Sequence, residues 1–362
     1  MLIIRPIDYH DLPALERLAV VSGGSLTTLP AHREYLNDLI GNTQQSLRTS
    51  SNVGDNLSFH FVLEDSARNE LLGISGIECR IGMNSPFYSY RMSTVSHSSH
   101  ELNVQNQVGT LTICQDLAGS TRLCTLFLAP EHQNSQNHQL LSRARLLFMA
   151  LHRSLFSDRC IAELQGQVNA EGQSPFWESL GRHFFSMPLS RATFLAGINF
   201  KGFIASLMPQ QPIYIPLLAE AAQNALGAPR NDIKSNKVLL EMEGFRFKDH
   251  IDIFDGGPTL EVDTDQLETL HQVDRTTFIV SGNDSSQVTS ASTGNGSDDV
   301  IKPYLVSNCN FDQFRCLVTE LPEKQPILSL EQMKVLMIDE GEAVQITPCH
   351  SLSSDNNDQT FS

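Results

Sequence analysis

Between residues 123 and 151 the apolar positions of the chain change their period. Leu123-Cys124-Thr125-Leu126-Phe127-Leu128 is a short continuous run closed by Ala129-Pro130, which predicts a buried strand. After a polar loop, Leu140, Leu141, Ala144, Leu147, Phe148 and Leu151 recur at helical spacing. Arg143, Arg145 and His152 are then expected on or near the other side of that helix. Upstream, a first strand is expected over residues 2–6. Asp11 is placed to cap a helix carrying Leu12, Leu15 and Leu18, with Pro13 in its first turn. A second helix carries Tyr35, Leu36, Leu39 and Ile40. Residues 59–63 and 71–77 read as two strands around a polar turn, and further strands are expected at 101–104, 110–114 and 159–164.

Two later segments share an ending. Ser174 to Gly181 leads to Phe184-Phe185, and Val238 to Gly244 leads to Phe245. Each predicts a helix stopped by glycine and followed by an aromatic residue entering a strand, as two related layers would have it. Residues 252–261 read as a strand feeding a turn in which Gly256 and Gly257 can take positive φ. Residues 281–299 are almost wholly Ser, Gly, Asn, Asp and Thr, a composition that predicts a disordered linker or surface loop. Beyond it, short strands alternate at 304–307, 314–319, 327–328 and 344–347, with a helix over 330–337, which suggests a small β-barrel. The expected division is therefore 1–262, either one α/β domain or two related layers of about 1–200 and 201–262. A connector at 263–300, a small β-barrel at 301–348 and a polar tail at 349–362 follow.

Composition narrows the partners. At 362 residues, with 40% hydrophobic and 18% charged residues, the chain has the profile of a soluble globular protein. A formal net charge of −16 argues against nucleic acid and anionic membrane surfaces. The apolar start is too short for a signal peptide, and no run approaches a membrane span. Seven scattered cysteines without a CxxC pair predict reduced thiols in a cytoplasmic protein, with neither a disulfide framework nor a zinc pattern. His97 and His100 have HxxH spacing beside Glu101, but no third ligand of recognisable spacing accompanies them, so no metal is expected there.

Several acids are candidates for chemistry. Asp252 and Asp255 flank a strand end, where they either meet a guanidinium or accept the amides of the turn before Gly256-Gly257. Glu163, on the strand after the central helix, is either a general base or a structural acid.

Six motifs, in order, resemble those of the arginine N-succinyltransferase family. They are Gly23-Gly24-Ser25-Leu26-Thr27-Thr28-Leu29-Pro30-Ala31, Glu101-Leu102-Asn103-Val104, Cys124-Thr125-Leu126-Phe127-Leu128, Ser174-Pro175-Phe176-Trp177, Leu207-Met208-Pro209 with Pro212-Ile213-Tyr214, and Ile253-Phe254-Asp255-Gly256-Gly257-Pro258-Thr259-Leu260-Glu261. The resemblance covers about residues 1 to 262 and continues towards the C-terminus. It implies an acyl-CoA N-acyltransferase-like mixed sheet with flanking helices, in which succinyl-CoA gives its acyl group to the α-amine of L-arginine in arginine breakdown. It also implies that Leu126 meets succinyl-CoA, largely through its backbone, and it puts His97 at a motif position where a substrate contact is possible.

The same resemblance marks departures. Where the family has an Arg-x-x-Gly-x-Gly pattern for phosphate, this chain has Gln133-Asn134-Ser135-Gln136-Asn137-His138, so Gln136 and His138 put side chains where an open cradle is expected. Where the family has a proton-donating His, the chain has Arg230, which cannot shuttle a proton at neutral pH. Gln165 and Ser206 stand where the family tends to have Arg and Glu. The alternative implied by these losses is an impaired paralogue, a ligand-binding regulator, or a partner subunit of a hetero-oligomeric arginine/ornithine enzyme.

Overall fold

The computed structural model describes residues 1–350 apart from 25, 50–56, 199–201, 281–300 and 323–326. The polar linker and the tail expected from the sequence lie almost wholly outside the described residues.

β1 (Leu2–Pro6) leads through a single helical turn, capped by Asp8, into α1 (Leu12–Val21). Pro13 sits in the first turn of α1, where its missing amide costs nothing. Asp11 does not cap α1 with its side chain, as the sequence suggested. Its carboxylate instead accepts both terminal nitrogens of Arg5, at 2.7 and 2.8 Å, and the Asp8 amide at 2.8 Å. α2 (Arg33–Arg48) buries Leu36, Leu39, Ile40 and Leu47 on one face. β2 (Ser58–Asp65) and β3 (Glu70–Glu78) then form the expected hairpin.

β4 (Ser89–Ser99) and β5 (Val104–Cys114) pair along their whole length. Most of β4 is polar and exposed, which hid it from a reading based on apolar runs. The strand expected at 101–104 is mostly the turn between the two, with Asn103 at a φ of 50°. β6 (Thr121–Leu128), α3 (Ser135–Leu151) and β7 (Arg159–Glu163) follow in the expected order.

A helical layer comes next: α4 (Pro175–Ser179), α5 (Gly181–Phe185), α6 (Leu189–Gly197) and α7 (Gly202–Leu207). Phe184 and Phe185 are helical rather than the start of a strand, because Phe185 turns back to stack on Trp177 at 5.3 Å. After β8 (Ile213–Tyr214) and α8 (Glu220–Ala225), α9 (Lys234–Met242) ends at Gly244, whose φ is 97°, and Phe245 does lead into β9 (Arg246–Ile251). The two similar endings thus diverge in structure. β10 (Pro258–Asp263), α10 (Glu268–Gln272), β11 (Asp274–Thr277), β12 (Ile279–Val280), β13 (Ile301–Asn308), β14 (Cys316–Pro322), β15 (Ile327–Leu328), α11 (Leu330–Leu336) and β16 (Ala343–Pro348) complete the described chain.

Fourteen of the described strands make one mixed sheet in the order β11-β16-β13-β14-β1-β2-β3-β6-β7-β10-β9-β4-β5-β8. Every pairing in it is antiparallel except β6 with β7. Of the C-terminal strands expected as a small barrel, β13, β14 and β16 continue this sheet, while β15 pairs with β12 in a separate two-stranded parallel sheet. β14 pairs with β1 at Ile4 and Cys316 and covers what would otherwise be an open edge. The strand order ends at β11 and does not close on itself among the described residues.

α3 lies between the sheet and this C-terminal extension, so it is buried almost all round. Arg143 and Arg145, expected on a polar face, are each 1% exposed. Arg143 survives burial because it is fully engaged. Its Nε lies 2.7 Å from Glu243 Oε1, and Nη1 donates to the Pro348 carbonyl at 2.6 Å. Glu243 in turn accepts from the Thr269 amide and hydroxyl and lies 2.8 Å from His350 Nε2. Burial alone would raise the Glu243 carboxyl, but His350, Arg143 and Thr269 together hold it below its ordinary value. One carboxylate therefore ties α3, α10 and the C-terminal strand together. Glu243→Gln should cost about 3–5 kcal/mol of stability in urea unfolding at pH 7, because Arg143 is left buried without its counter-charge. Because the folded value is depressed, this contribution is present above the unfolded carboxylate value and is lost as pH falls through the folded one.

Candidate functional site

The site begins where two strands part. β6 and β7 run parallel through the pairs Thr121–Cys160, Arg122–Ile161 and Leu123–Ala162, after which no pairing joins them. On the other side of β6, its register against β3 shifts between Ile74 and Gly76. The shift is a bulge at Thr125, whose φ of 56° is a sterically costly value for a β-branched residue.

Three buried groups hold that bulge. The His60 ring lies against Gly76, where a Cβ would come within 2.5 Å of it. Its two nitrogens face the Thr43 hydroxyl at 3.3 Å and the Thr125 hydroxyl at 3.4 Å. Burial pushes the imidazole down to about 4, so it is neutral. Arg145, reaching from α3, donates from Nη1 to the carbonyls of Gly76 and Cys124, both at 3.3 Å, and from Nε to the Ser142 carbonyl at 3.1 Å. These bonds are to oxygens without a full charge, and burial pulls the guanidinium down to about 10.

A cleft of about 350 Å³ opens between the parted strands. Of the residues singled out in the sequence, Leu126, Glu163, Arg230, Asp252 and Asp255 all line it, together with Gly23 and Gly24 of the first motif. Arg145 and Arg122 line it as well. Glu163 is not a free acid: its Oε2 is 2.9 Å from Arg122 Nη1, and Arg122 also meets Glu78 at 2.7 Å. Asp252 and Asp255 sit in the turn between β9 and β10. Oδ1 of Asp252 accepts the amides of Phe254 at 2.7 Å and Asp255 at 3.0 Å, while Oδ1 of Asp255 accepts that of Gly257 at 2.8 Å. Burial, followed by the neighbouring acids Asp255 and Glu163, pushes Asp252 well above the usual carboxylate range. Burial raises Asp255 too, opposed by the amides of Gly166 and Gly257 and by Arg230.

The turn is pressed against the end of β7. A Cβ on Gly257 would lie 2.1 Å from the Leu164 carbonyl oxygen, and one on Gly166 would lie 2.3 Å from that of Asp255. Only glycine lets these backbones meet, and their meeting fixes the acids at the cleft. Arg230 reaches the cleft from the next segment, where its amide bonds to the Gln165 carbonyl at 2.9 Å. Its guanidinium forms a fork with the exposed Asp232 at 2.6 and 2.8 Å.

Gln165 lines the cleft as well, whereas His97, Gln136 and His138 do not. His97 lies on the exposed β4–β5 hairpin, its ring 5.9 Å from that of Tyr214. Gln136 and His138 are in the first turn of α3, which Asn134 caps by accepting the Asn137 amide at 2.9 Å. Gln136 is exposed, whereas His138 is half-buried with an unpartnered Nδ1, and burial lowers its imidazole from the ordinary value. Sequence reasoning missed Arg122, His60 and Thr125, and it put Arg145 on the wrong face. The available signal was Arg122 beside, and Thr125 within, the apolar run of that strand.

A cleft between parted parallel strands, walled by acids and guanidinium groups, in a mixed α/β protein has the charge to meet a charged small molecule. Comparison with known proteins narrows this class to one family. The family profile described as "Arginine N-succinyltransferase beta subunit" matches residues 2–269. The arginine N-succinyltransferase of Escherichia coli (strain 55989 / EAEC) is 40% identical over 351 residues, covering 96% of this chain and 97% of that protein. That of Escherichia coli O139:H28 (strain E24377A / ETEC) is 39% identical over the same length. Among solved structures, the arginine/ornithine succinyltransferase subunit AI from Pseudomonas aeruginosa superposes with a TM-score of 0.86 at 34% identity, covering 97% of this chain and 99% of that one. The chain belongs to the arginine N-succinyltransferase family.

The neutral His60 gives the site a pH signature. The unfolded imidazole takes up a proton near 6.5, while the folded one resists until about 4. Stability is therefore complete above pH 6.5 and is lost as pH falls through that window. Between pH 7.5 and 5 the parent should lose about 2 kcal/mol more than His60→Gln in urea unfolding.

Proposed function

We propose that this chain transfers the succinyl group of succinyl-CoA to the α-amine of L-arginine, opening a route of arginine catabolism in the cytoplasm. The observation that carries the reading is the parting of β6 from β7, which leaves the 124–126 backbone unpaired on the side facing an acid-walled cleft. Such an edge suits the amide-bearing arm of an acyl-CoA, in the manner of acyl-CoA N-acyltransferases, with Leu126 contributing through its backbone. The start of α3, around Gln136 and His138, would then face the pyrophosphate with helix amides rather than with charge. On this reading residues 1–262 are the transferase domain, 263–300 connect it, the strands of 301–348 cover α3, and 349–362 are a polar tail.

Arginine brings cationic groups, and Asp252 and Asp255 supply their counter-charge, Glu163 being already paired with Arg122. The neutral α-amine attacks the thioester carbonyl, the tetrahedral intermediate collapses, and the C–S bond breaks to release the CoA thiolate. The proton lost by the amine passes to a cleft carboxylate. Asp252 is better suited to take it than Glu163, because its raised pKa lies nearer the working pH, whereas Arg122 holds Glu163 in an ion pair. Arg230 moves no proton, and its fixed charge fits the free carboxylate of the succinyl group.

Free-thiol release from succinyl-CoA by the purified chain, with and without L-arginine, tests the reading. Arginine-dependent release is expected. Asp252→Asn should lower kcat about 10²- to 10⁴-fold. Arg230→Ala should act mainly on KM for succinyl-CoA. A folded chain that releases no thiol alone, but does so once a related subunit is added, would replace this proposal with the partner-subunit reading.

A further inference from the structure

We propose a divalent metal site of the zinc class formed by Cys114, Asp116 and His250, at the foot of the β4–β5 hairpin and outside the cleft. One ligand atom from each residue, a sulfur, a carboxylate oxygen and an imidazole nitrogen, lies within 4.8 Å of the other two. Thiolate, imidazole and carboxylate together form a donor set that zinc favours over harder cations.

The surroundings of His250 point to a ligand. Asp249, at a φ of 64°, lies where β9 shifts register against β10, and this bulge re-aims the next side chain into the sheet. His250 Nδ1 lies 2.8 Å from Glu261 Oε1, and Glu261 is itself only 4% exposed. A carboxylate on Nδ1 fixes the tautomer and turns the lone pair of Nε2 outward, as metal-bound histidines require. That Nε2 is buried without a hydrogen-bond partner, in a side chain 8% exposed, and it lies 3.6 Å from Asp116 Oδ2.

The neighbouring groups set the terms of binding. Ser89 Oγ lies 3.5 Å from Cys114 Sγ, Arg91 Nη1 lies 3.3 Å from Asp116 Oδ2, and Arg159 donates to the Asp116 carbonyl and reaches within 3.9 Å of Glu261. Arg91 is 60% exposed and free to swing away. Tetrahedral zinc with bonds of about 2.0–2.3 Å needs its ligands closer together, and Asp116, on an exposed turn, is the group that can close in. Binding would form Zn–S, Zn–N and Zn–O bonds, release the thiol proton to solvent and leave a fourth position for water.

The site would have a structural use. β4 is joined to β9 by just two register pairs, Tyr90–Ile251 and Arg91–His250. A metal held by Cys114 and His250 would staple β5 to β9 across β4 and anchor the hairpin.

The test is zinc titration of the chelator-treated full chain against a chromophoric competitor, together with cobalt substitution. One equivalent of zinc is expected, with a cobalt–thiolate absorption band and a raised melting temperature. Cys114→Ser and His250→Gln should abolish both signals, and Glu261→Gln should weaken affinity about 10- to 100-fold. Asp116→Asn, on an exposed turn that does not endanger folding, should also weaken it, while Cys309→Ser should not. Failure of the parent to take up stoichiometric zinc, or uptake that survives both Cys114→Ser and Asp116→Asn, overturns the proposal.

Discussion

The cleft depends on one strained residue. Thr125 holds a left-handed backbone that costs on the order of 1–3 kcal/mol for a residue of its kind. Such a conformation persists only where its surroundings over-determine it. Here Gly76 gives up its side chain to admit His60, His60 faces the Thr125 hydroxyl, and Arg145 binds the carbonyls of Gly76 and Cys124, the register pair just before the bulge. Without the bulge β6 would stay in register with β3 and could continue beside β7, and there would be no cleft between them. The strain is thus part of what makes a binding edge out of a central strand.

Charge in the cleft follows from the same geometry. Arg122, just before the strands part, is shared between Glu78 on one side and Glu163 on the other. It thereby neutralises the acid nearest the opening. Asp252 and Asp255 have no comparable cation, only turn amides and, for Asp255, a share of Arg230. Their ionised forms are therefore costly while the cleft is empty and favoured once a cation enters. On the proposed reading, such a cleft would select for a cationic guest without needing a dedicated contact to each nitrogen.

The sequence made the skeleton legible because its strongest signals are periodic. β1, β2, β3, β6, α2 and α3 all lie where apolar spacing put them, and the motif glycines led to the turn that carries Asp252 and Asp255. Of the β4–β5 hairpin only the 110–114 end of β5 was expected; the rest was invisible because its residues are mostly polar and face solvent on an arm of the sheet. Arg143 and Arg145 were misjudged for a different reason. Periodicity assigns a charged residue to a wet face, but α3 has no wet face, since the C-terminal strands fold over it. Only a long-range pairing, β14 on β1, decides that, and no local pattern encodes it.

The start of α3 shows how a motif loss can be absorbed. A glycine pattern there lets backbone approach phosphate closely, and Gln136 and His138 remove that freedom. In this chain the turn is ordinary helix begun by Asn134, and its first amides keep the outward direction common to any helix start. His138 adds no charge, because burial holds its imidazole towards the neutral form. On the proposed reading, the chain gives up the close approach and the cation of the family pattern, while the dipole and the amides remain. Because Gln136 is exposed and His138 only half-buried, neither side chain closes the helix start with a packed wall. On the proposed reading, that leaves the amides of the helix start open to a pyrophosphate, with the parted strands as the other contact for an acyl-CoA.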